Sequence, residues 1–200
     1  MEEKNMLKKP EIIVVAGPNG SGKSTVIQMV NIIQPYINAD DIKAALQCTA
    51  LQAAQKAEKL RNTLINRQMS FTFETVLSTS RNIELLKRAR KAGFFIRCIY
   101  VLTIDPQINI IRVRVRKAAG GHDVPQDKII SRYKKALAQI PQLLEVCDIC
   151  HIYDNSDEIP FRIFKKRKDE YFYWEDSFWN KNKIEKLINN KSCEPMKKSL

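Results

Sequence analysis

The chain alternates short apolar runs with longer segments in which apolar side chains recur every three or four positions. The runs are rich in β-branched and aromatic residues and predict strands at about 12–16, 36–38, 71–75, 94–103 and 149–153. The periodic segments predict helices at about 25–33, 41–67, 83–92, 106–118 and 127–146. Strands that alternate with helices are typical of an α/β fold. We therefore predict a three-layer sandwich with a mainly parallel five-stranded sheet.

Beyond residue 157 the pattern changes. Residues 161–164 and 171–174 predict two strands joined by a polar turn, and a basic helix follows from about 178 to 190. We therefore predict one domain over residues 1–157 and a small C-terminal appendage over 158–200. Its aromatic residues could stack on nucleic-acid bases, although such a cluster more often closes a small hydrophobic core; they are Tyr171, Phe172, Tyr173, Trp174 and Trp179.

The first predicted strand leads directly into a glycine-rich loop of the form G-x-x-x-x-G-K-S, which is Gly17, Pro18, Asn19, Gly20, Ser21, Gly22, Lys23, Ser24 and Thr25. Such a loop turns successive backbone N–H groups toward one point and binds phosphate. The lysine of this pattern reaches the β- and γ-phosphates, and the serine hydroxyl binds Mg²⁺. The strand–loop–helix context predicts a nucleotide site over residues 17–25, with Lys23 on the phosphates and Ser24 as a metal ligand.

Acidic residues follow three of the predicted strands. Asp40, Glu74 and Asp105 lie at carboxyl ends, the edge at which open parallel sheets bind their ligands. Asp40 follows closely after the phosphate loop, so we predict that it is the base that takes a proton from the acceptor. Glu74 could orient the acceptor or hold a metal-bound water. Asp105 precedes Pro106 and is the better candidate for a helix cap, and Asp41 is expected to cap the helix that follows Asp40.

The segment from about 112 to 135 is rich in arginine and is interrupted by Gly120 and Gly121. A helix–Gly-Gly–helix segment of this kind indicates a lid that closes over phosphates and excludes water. Arg112 and Arg116 are four positions apart and share one helical face, whereas Arg114 points elsewhere. We predict that Arg112, Arg116 and Arg132 contact the phosphates.

The chain has 200 residues and a formal net charge of +12, an excess that favours anionic ligands. Its first ten residues are charged and unlike a signal peptide, and no apolar run is long enough to cross a bilayer. We therefore expect a cytoplasmic protein with reduced cysteines. Cys147 and Cys150 precede His151 in a C-x-x-C-H pattern, but they enter a predicted core strand and are interpreted as core thiols.

Four motifs together resemble the zeta-toxin-like P-loop kinases. They are Gly17–Thr25, Ile37-Asn38-Ala39-Asp40-Asp41, Phe73-Glu74-Thr75-Val76-Leu77-Ser78 and Gly120-Gly121-His122-Asp123-Val124-Pro125, and they span about residues 11–156. The resemblance implies an ATP-dependent kinase in which Asp40 is the base and the lid arginines hold the phosphates. It also places Asn155 at the adenine base.

Better-studied members of that family phosphorylate a hydroxyl of UDP-N-acetylglucosamine and are held inactive by a small antitoxin protein. The resemblance therefore implies ATP and Mg²⁺ as cofactors, a small acceptor such as a nucleotide sugar and an antitoxin partner. This chain departs from the toxin members at His122, which occupies the place of a lid arginine, so Arg116 or Arg132 is expected to compensate. We take four residues as candidate acceptor contacts: Arg61, Glu74, Thr75 and His122.

The function predicted from the sequence is transfer of a γ-phosphoryl group to a hydroxyl of a small, anionic acceptor. Two alternatives remain open: a polynucleotide or RNA-end kinase that uses the basic appendage, and a non-catalytic ATP-dependent switch. Asp40 argues against a pure switch, which needs no acceptor base. Nucleic acid is the less favoured partner, and a membrane is not expected. Arg61 lies on the second predicted helix, where a solvated helix face is the simpler interpretation.

Overall fold

A seven-stranded sheet forms the centre of the computed structural model, which describes residues 9–121 and 123–189. In chain order its strands are β1 (Glu11–Ala16), β2 (Tyr36–Ile37), β3 (Phe71–Thr75), β4 (Phe95–Leu102), β5 (Ile149–Asp154), β6 (Phe161–Arg167) and β7 (Glu170–Tyr173). Across the sheet the order is β2-β3-β1-β4-β5-β6-β7.

Eight helices connect or flank these strands in the described residues. They are α1 (Lys23–Ile27), α2 (Ala39–Leu46), α3 (Ala50–Asn66), α4 (Arg81–Lys91), α5 (Pro106–Ala118), α6 (Gln126–Ala138), α7 (Ile140–Val146) and α8 (Lys181–Asn189). Helix α5 has the predicted bounds, and the Asp105 side chain caps it by accepting a hydrogen bond from Gln107 N. The α/β fold is confirmed.

The first five strands are parallel, and β6 and β7 form an antiparallel hairpin on β5. The predicted number of five strands was therefore too low, because the two strands of the expected appendage join the same sheet. Their side chains explain this, since Ile163 and Phe164 are fully buried in the main core. Parallel pairing brings the carboxyl ends of β1 and β3 to one edge, where the glycine-rich loop begins.

The main core lies on one face of the sheet and includes the C-terminal helix. Trp179 is 9% exposed, and Ile184 and Ile188 of α8 belong to the same buried cluster as Phe71 and Ile96. Trp179 and the partly buried Tyr173 thus help to close the core, as expected of the aromatic cluster, whereas Tyr171 and Phe172 are 48% and 41% exposed. A domain boundary near residue 157 stays a prediction.

Helix α1 ends earlier than the predicted residue 33. After Ile27 the chain turns, and the Ile33 N–H group donates to the Thr72 hydroxyl oxygen at 2.8 Å. Val30 and Ile33 pack on a second, smaller core with Val26 on the opposite face of the sheet. The helix ends early, and the turn that follows it allows Val30 and Ile33 to pack on this core.

Two predicted long helices are each divided in two. Gln47 adopts a left-handed backbone conformation (φ 47°), and Thr49 then begins α3 with a capping box formed with Gln52. Gln139 separates α6 from α7, and Pro141 lies in the first turn of α7. Proline lacks the N–H group that an uninterrupted helix would need there.

Three cysteines lie together in the core. Cys98, Cys147 and Cys150 are buried, and burial raises the pKa of the Cys98 and Cys147 thiols. The interpretation of Cys147 and Cys150 as core thiols is thus confirmed.

Of the residues that the structure describes, no helix combines the length and the apolar character that crossing a membrane requires.

The first prediction concerns the C-terminal segment. The Trp179 Nε1–H group donates to Asp154 Oδ2 at 3.0 Å, and its ring packs in the main core. We expect Trp179→Ala to lower the free energy of unfolding by roughly 3 kcal/mol or more, in one cooperative transition, as measured by urea denaturation. Phe178→Ala, at a side chain that is 37% exposed, is the matched control and should cost less than about 1 kcal/mol. Two separate transitions would mean that the segment folds as a unit of its own.

Candidate active site

The glycine-rich loop wraps around the ammonium group of Lys23. Lys23 begins α1 and is only 7% exposed, and its Nζ donates to the carbonyl oxygens of Gly17 at 2.9 Å and Pro18 at 3.0 Å. The loop connects β1, in the middle of the sheet, to α1. The cation therefore sits at the sheet edge where the predicted acids also lie.

Two glycines allow the loop to approach its neighbours closely. Gly22 has a φ of 86°, and a Cβ there would lie 1.9 Å from Asn155 Nδ2. Gly20 has a φ of 76°, and a Cβ there would lie 2.5 Å from the Asn109 carbonyl oxygen. Any larger residue at these two positions would strain the backbone and push the loop away from Asn155 and Asn109.

A cavity of about 150 Å³ opens beside the loop and is lined by Gly20, Gly22, Lys23, Ser24, Glu74, Arg112, Val113 and Arg116. Its lining holds three cationic side chains and one carboxylate. This charge balance fits an anionic group such as a phosphate chain. The Ser24 hydroxyl and the Glu74 carboxylate are oxygen donors of the kind that Mg²⁺ prefers.

Glu74 connects the lysine to a tyrosine that the sequence analysis missed. Its Oε1 lies 3.6 Å from Lys23 Nζ, and its Oε2 accepts a hydrogen bond from the Tyr36 hydroxyl at 2.9 Å. Burial lowers the pKa of Lys23, while the charges of Glu74 and Asp40 act in the opposite direction and Arg116 acts in the same direction. Burial and the Glu74 charge raise the pKa of Tyr36, so its hydroxyl keeps its proton and donates.

Asp40 is exposed in the first turn of α2. The expectation that Asp41 caps this helix was wrong, because the Asn38 side chain is the cap and accepts from Asp40 N at 2.9 Å. Both carboxylates are therefore left for other contacts. Burial, together with the charges of Glu74 and Asp40, raises the pKa of Asp41. The charge of Asp40 acts to raise the pKa of Lys23, and the role of Asp40 as the base stays a prediction.

Two of the three arginines of α5 line the cavity and the third does not, as their helical spacing predicts. Arg112 and Arg116 both line the cavity. Arg112 Nη1 also donates to the Asn155 carbonyl oxygen at 2.5 Å, which ties α5 to the segment after β5. Arg114 points away and donates to Gln126 Oε1 at 2.8 Å.

Asn155 lies beneath the loop and is 4% exposed. Its Nδ2 donates to the Ser21 carbonyl oxygen at 2.9 Å, so the amide supports the phosphate loop from below. This role was not foreseen, and contact of Asn155 with an adenine base stays a prediction.

Residues of α5 and α6 also hold the loop by hydrogen bonds to Asn19. The fully buried Asn109 of α5 donates through Nδ2 to the Asn19 carbonyl oxygen at 2.7 Å, and its Oδ1 pairs with the Thr103 hydroxyl. Arg132 of α6 donates to Asn19 Oδ1 at 3.2 Å. Tyr133 donates its hydroxyl proton to the Thr103 carbonyl oxygen at 2.5 Å. Contact of Arg132 with the phosphates stays a prediction. Asn109 was not foreseen, and its only signal in the sequence is a polar residue on the buried face of α5.

The residues predicted to contact the acceptor differ in their burial and in their hydrogen bonds. Arg61 is 7% exposed, with its Cζ 5.0 Å from the centroid of the Phe73 ring, so the interpretation as a solvated helix face was wrong. Burial lowers the pKa of this guanidinium group. The Thr75 hydroxyl is already engaged, since it accepts from Leu77 N at 3.0 Å and from Asn82 Nδ2 at 2.7 Å. His122 lies outside the described residues.

The loop, the parallel strand order and the arginine-bearing lid define the fold of a P-loop kinase. The sequence profile of the zeta toxin family matches residues 1–169. The chain therefore belongs to the zeta toxin family, and it is a P-loop kinase, a phosphotransferase.

One relative and two solved structures are similar to this chain. An uncharacterized protein of Haemophilus influenzae is 28% identical over 139 residues, which cover 66% of this chain and 99% of that protein. The AvrRxo1-ORF1:-ORF2 structure with ATP is similar with a TM-score of 0.71 at 12% identity, over 94% of this chain and 66% of the matched chain. The present chain thus spans slightly less than two thirds of that protein.

A structure of the PezAT chromosomal toxin–antitoxin system of Streptococcus pneumoniae is also similar, with a TM-score of 0.61 at 14% identity. The match covers 94% of this chain and 81% of the matched chain. At such identities the two solved structures show a common fold.

The support from Asn109 leads to the second prediction. Asn109→Leu removes the donor that holds the half-buried Asn19 carbonyl oxygen at the top of the loop, so we expect the Kd for ATP to rise about tenfold. Isothermal titration calorimetry measures this effect. Asn109→Asp, which keeps the shape but loses the donor, should act in the same direction. Gln107→Leu, at an exposed position of the same helix, should leave the affinity unchanged, and equal affinities in all three variants would contradict the proposed support.

Proposed function

We propose that this protein transfers the γ-phosphoryl group of ATP to a hydroxyl group of a small acceptor. One observation supports the proposal above all: β2, β3 and β1 are parallel, so Asp40, just after β2, lies at the same edge of the sheet as the loop that follows β1 and encloses Lys23. A phosphate-binding loop alone would serve a switch. A carboxylate at the same edge of the sheet would supply what a phosphoryl acceptor needs, which is a group that takes its proton.

Lys23 is held ready for phosphate. Its three present partners are two carbonyl oxygens and one carboxylate, and phosphate oxygens would compete for the same ammonium protons. ATP would extend from the loop into the cavity, where Arg112 and Arg116 would neutralise charge that spreads over the phosphate oxygens during transfer. Mg²⁺ bound with the nucleotide would supply further neutralisation there, with the Ser24 hydroxyl as its protein ligand.

The acceptor would enter from the side of α2, next to Asp40. Asp40 would accept the hydroxyl proton as the acceptor oxygen bonds to the γ-phosphorus, while the bond from that phosphorus to the β-phosphate oxygen breaks and ADP leaves. Glu74, oriented by Tyr36, and the buried Arg61 are the candidate groups that position the acceptor. The cationic lining supports an anionic acceptor, of which a nucleotide sugar is an example.

Membership of the zeta toxin family also supports a role as the toxin of a toxin–antitoxin pair, with a small antitoxin protein as partner. Growth arrest on induction of the wild-type chain, which Asp40→Asn abolishes, would establish that role. Continued growth with a fully active enzyme would instead indicate a housekeeping kinase.

The third prediction tests the catalytic base. We expect Asp40→Asn to slow transfer by at least about 100-fold while ATP binds as before, because an amide cannot accept the proton. The assay follows label from γ-phosphate-labelled ATP into a panel of sugars, nucleotides and nucleotide sugars. Lys23→Ala should lose both ATP binding and transfer.

Asp127→Asn, an exposed carboxylate in the first turn of α6, is the matched control and should be fully active. Transfer that survives Asp40→Asn but not Asp41→Asn would move the role of base to the neighbouring carboxylate. Transfer that survives both would remove the proposed mechanism.

The fourth prediction separates the lid arginines. Arg112→Ala and Arg116→Ala should each lower kcat/KM for ATP by about tenfold or more, because each removes a cation from the cavity. Arg114→Ala removes the same charge from the same helix but on the side that faces Gln126, so kcat/KM should stay unchanged. An equal loss in all three variants would show that only the overall charge of α5 matters.

A further inference from the structure

Away from the nucleotide site, one face of the sheet carries aromatic rings and cations in ordered rows. Strand register places His151 of β5 opposite Lys165 of β6, and Lys165 opposite Phe172 of β7. In the neighbouring row Tyr153 lies opposite Arg162. We call this face the ring–cation surface, and it consists of His151, Tyr153, Arg162, Lys165, Phe172 and Trp174. It is the face opposite the main core, which holds Cys150 and Ile152 of the same strand β5.

Contacts between the side chains keep the rings beside the cations. Arg162 lies over the Trp174 ring, with its Cζ 4.0 Å from the centroid, and Lys165 Nζ lies 5.6 Å from the centroid of Phe172. The Phe172 and Trp174 rings are neighbours, at 6.5 Å between centroids. On β5 the His151 and Tyr153 rings stack at 6.3 Å with 15° between their planes. The surface is therefore a platform of side-by-side rings rather than a set of independent solvated side chains.

The platform is accessible and positively charged. Phe172 is 41% exposed, and the other five residues are half-buried. The six positions hold two permanent cations and no carboxylate. Burial and the charges of Arg162, Lys165 and Arg97 lower the pKa of His151 to about 4, so at neutral pH its imidazole is an uncharged ring in a positive field.

We propose that the ring–cation surface binds single-stranded nucleic acid. Unpaired bases would stack on the rings of Phe172, Trp174 and His151, and the phosphates between them would contact Arg162 and Lys165. A duplex fits less well, because its base faces are already stacked on one another. An acidic peptide could satisfy the two cations but would offer the rings no planar partner. The proposal is independent of the kinase activity, since no residue of the surface lines the nucleotide cavity.

This inference changes the expectation drawn from the aromatic residues of the C-terminal segment. Those residues divide between the two faces: Tyr173 and Trp179 join the core, whereas Phe172 and Trp174 face outward on the platform. Alternation along β7 produces this division, because successive side chains of a strand point to opposite faces.

The fifth prediction is a binding measurement on the full chain, by fluorescence anisotropy of a labelled 12-nucleotide single strand of mixed A and U. We expect binding at low salt, with a slope of log K against log salt of about −1.4, as for two phosphate contacts. The matching DNA strand distinguishes RNA from single-stranded nucleic acid in general. The 12-base-pair RNA duplex should bind at least about tenfold more weakly than the single strand.

Two pairs of variants locate the site. Phe172→Ala should weaken binding of the single strand about fivefold or more, while Tyr171→Ala, its neighbour on β7 that packs edge-on against the buried Phe164, should leave it unchanged. Lys165→Gln should weaken binding and flatten the salt dependence, and Lys56→Gln, an exposed lysine of α3, should do neither. Lys23→Ala should bind the strand like the wild type.

Four results would overturn the proposal. They are absence of binding at low salt, binding that neither Phe172→Ala nor Lys165→Gln weakens, equal affinity for the duplex, and loss of binding in Lys23→Ala, which would place the strand in the nucleotide cavity. A competition experiment tests the acidic-peptide alternative with a 12-residue poly-glutamate peptide. If the peptide displaces the strand and binds the wild type and Phe172→Ala equally well, the surface is instead a site for an acidic polypeptide.

Discussion

The burial of one ammonium group governs the organisation of the site. A lysine cation that is removed from water must be surrounded by oxygen atoms, and the loop supplies two of its own carbonyl groups while β3 supplies Glu74. The parallel pairing of β1 with β3 places Glu74 beside the loop that follows β1, so the carboxylate can reach the ammonium group. Phosphate oxygens could take the place of these partners without leaving the charge unpaired, so the contacts that stabilise the loop also suit the proposed nucleotide site.

The loop is held in place by amides from distant parts of the chain. Asn155 supports it from below through Ser21, and Asn109 supports its crest through Asn19. Because Asn109 and the two arginines of the cavity, Arg112 and Arg116, all belong to α5, one helix both contacts the loop and supplies cations to the site. The close packing at Gly20 and Gly22 leaves the loop little space to relax, which favours a preorganised site.

The two faces of the C-terminal hairpin serve different purposes. One face completes the main core, with Phe164 and Tyr173 packed edge to face at 5.5 Å and Trp179 close by. The other face presents rings and cations to the solvent. The hairpin is thus part of the kinase sheet in structure while offering a surface that the nucleotide site does not use.

Local signals in the sequence were sufficient for the α/β fold, the phosphate loop, the cap at Asp105 and the lid face shared by Arg112 and Arg116, because each depends on residues close together in the chain. The breaks at Gln47 and Gln139 also had local signals, the Thr49–Gln52 capping box and Pro141, which the predicted long helices overlooked. The addition of the C-terminal hairpin to the main sheet and the burial of Arg61 depended on packing between distant segments. The amide supports and the Tyr36–Glu74 bond likewise join residues at least 38 positions apart. Only the folded sheet brings such groups together, since side chains remote in sequence meet through strand order and not through any local pattern.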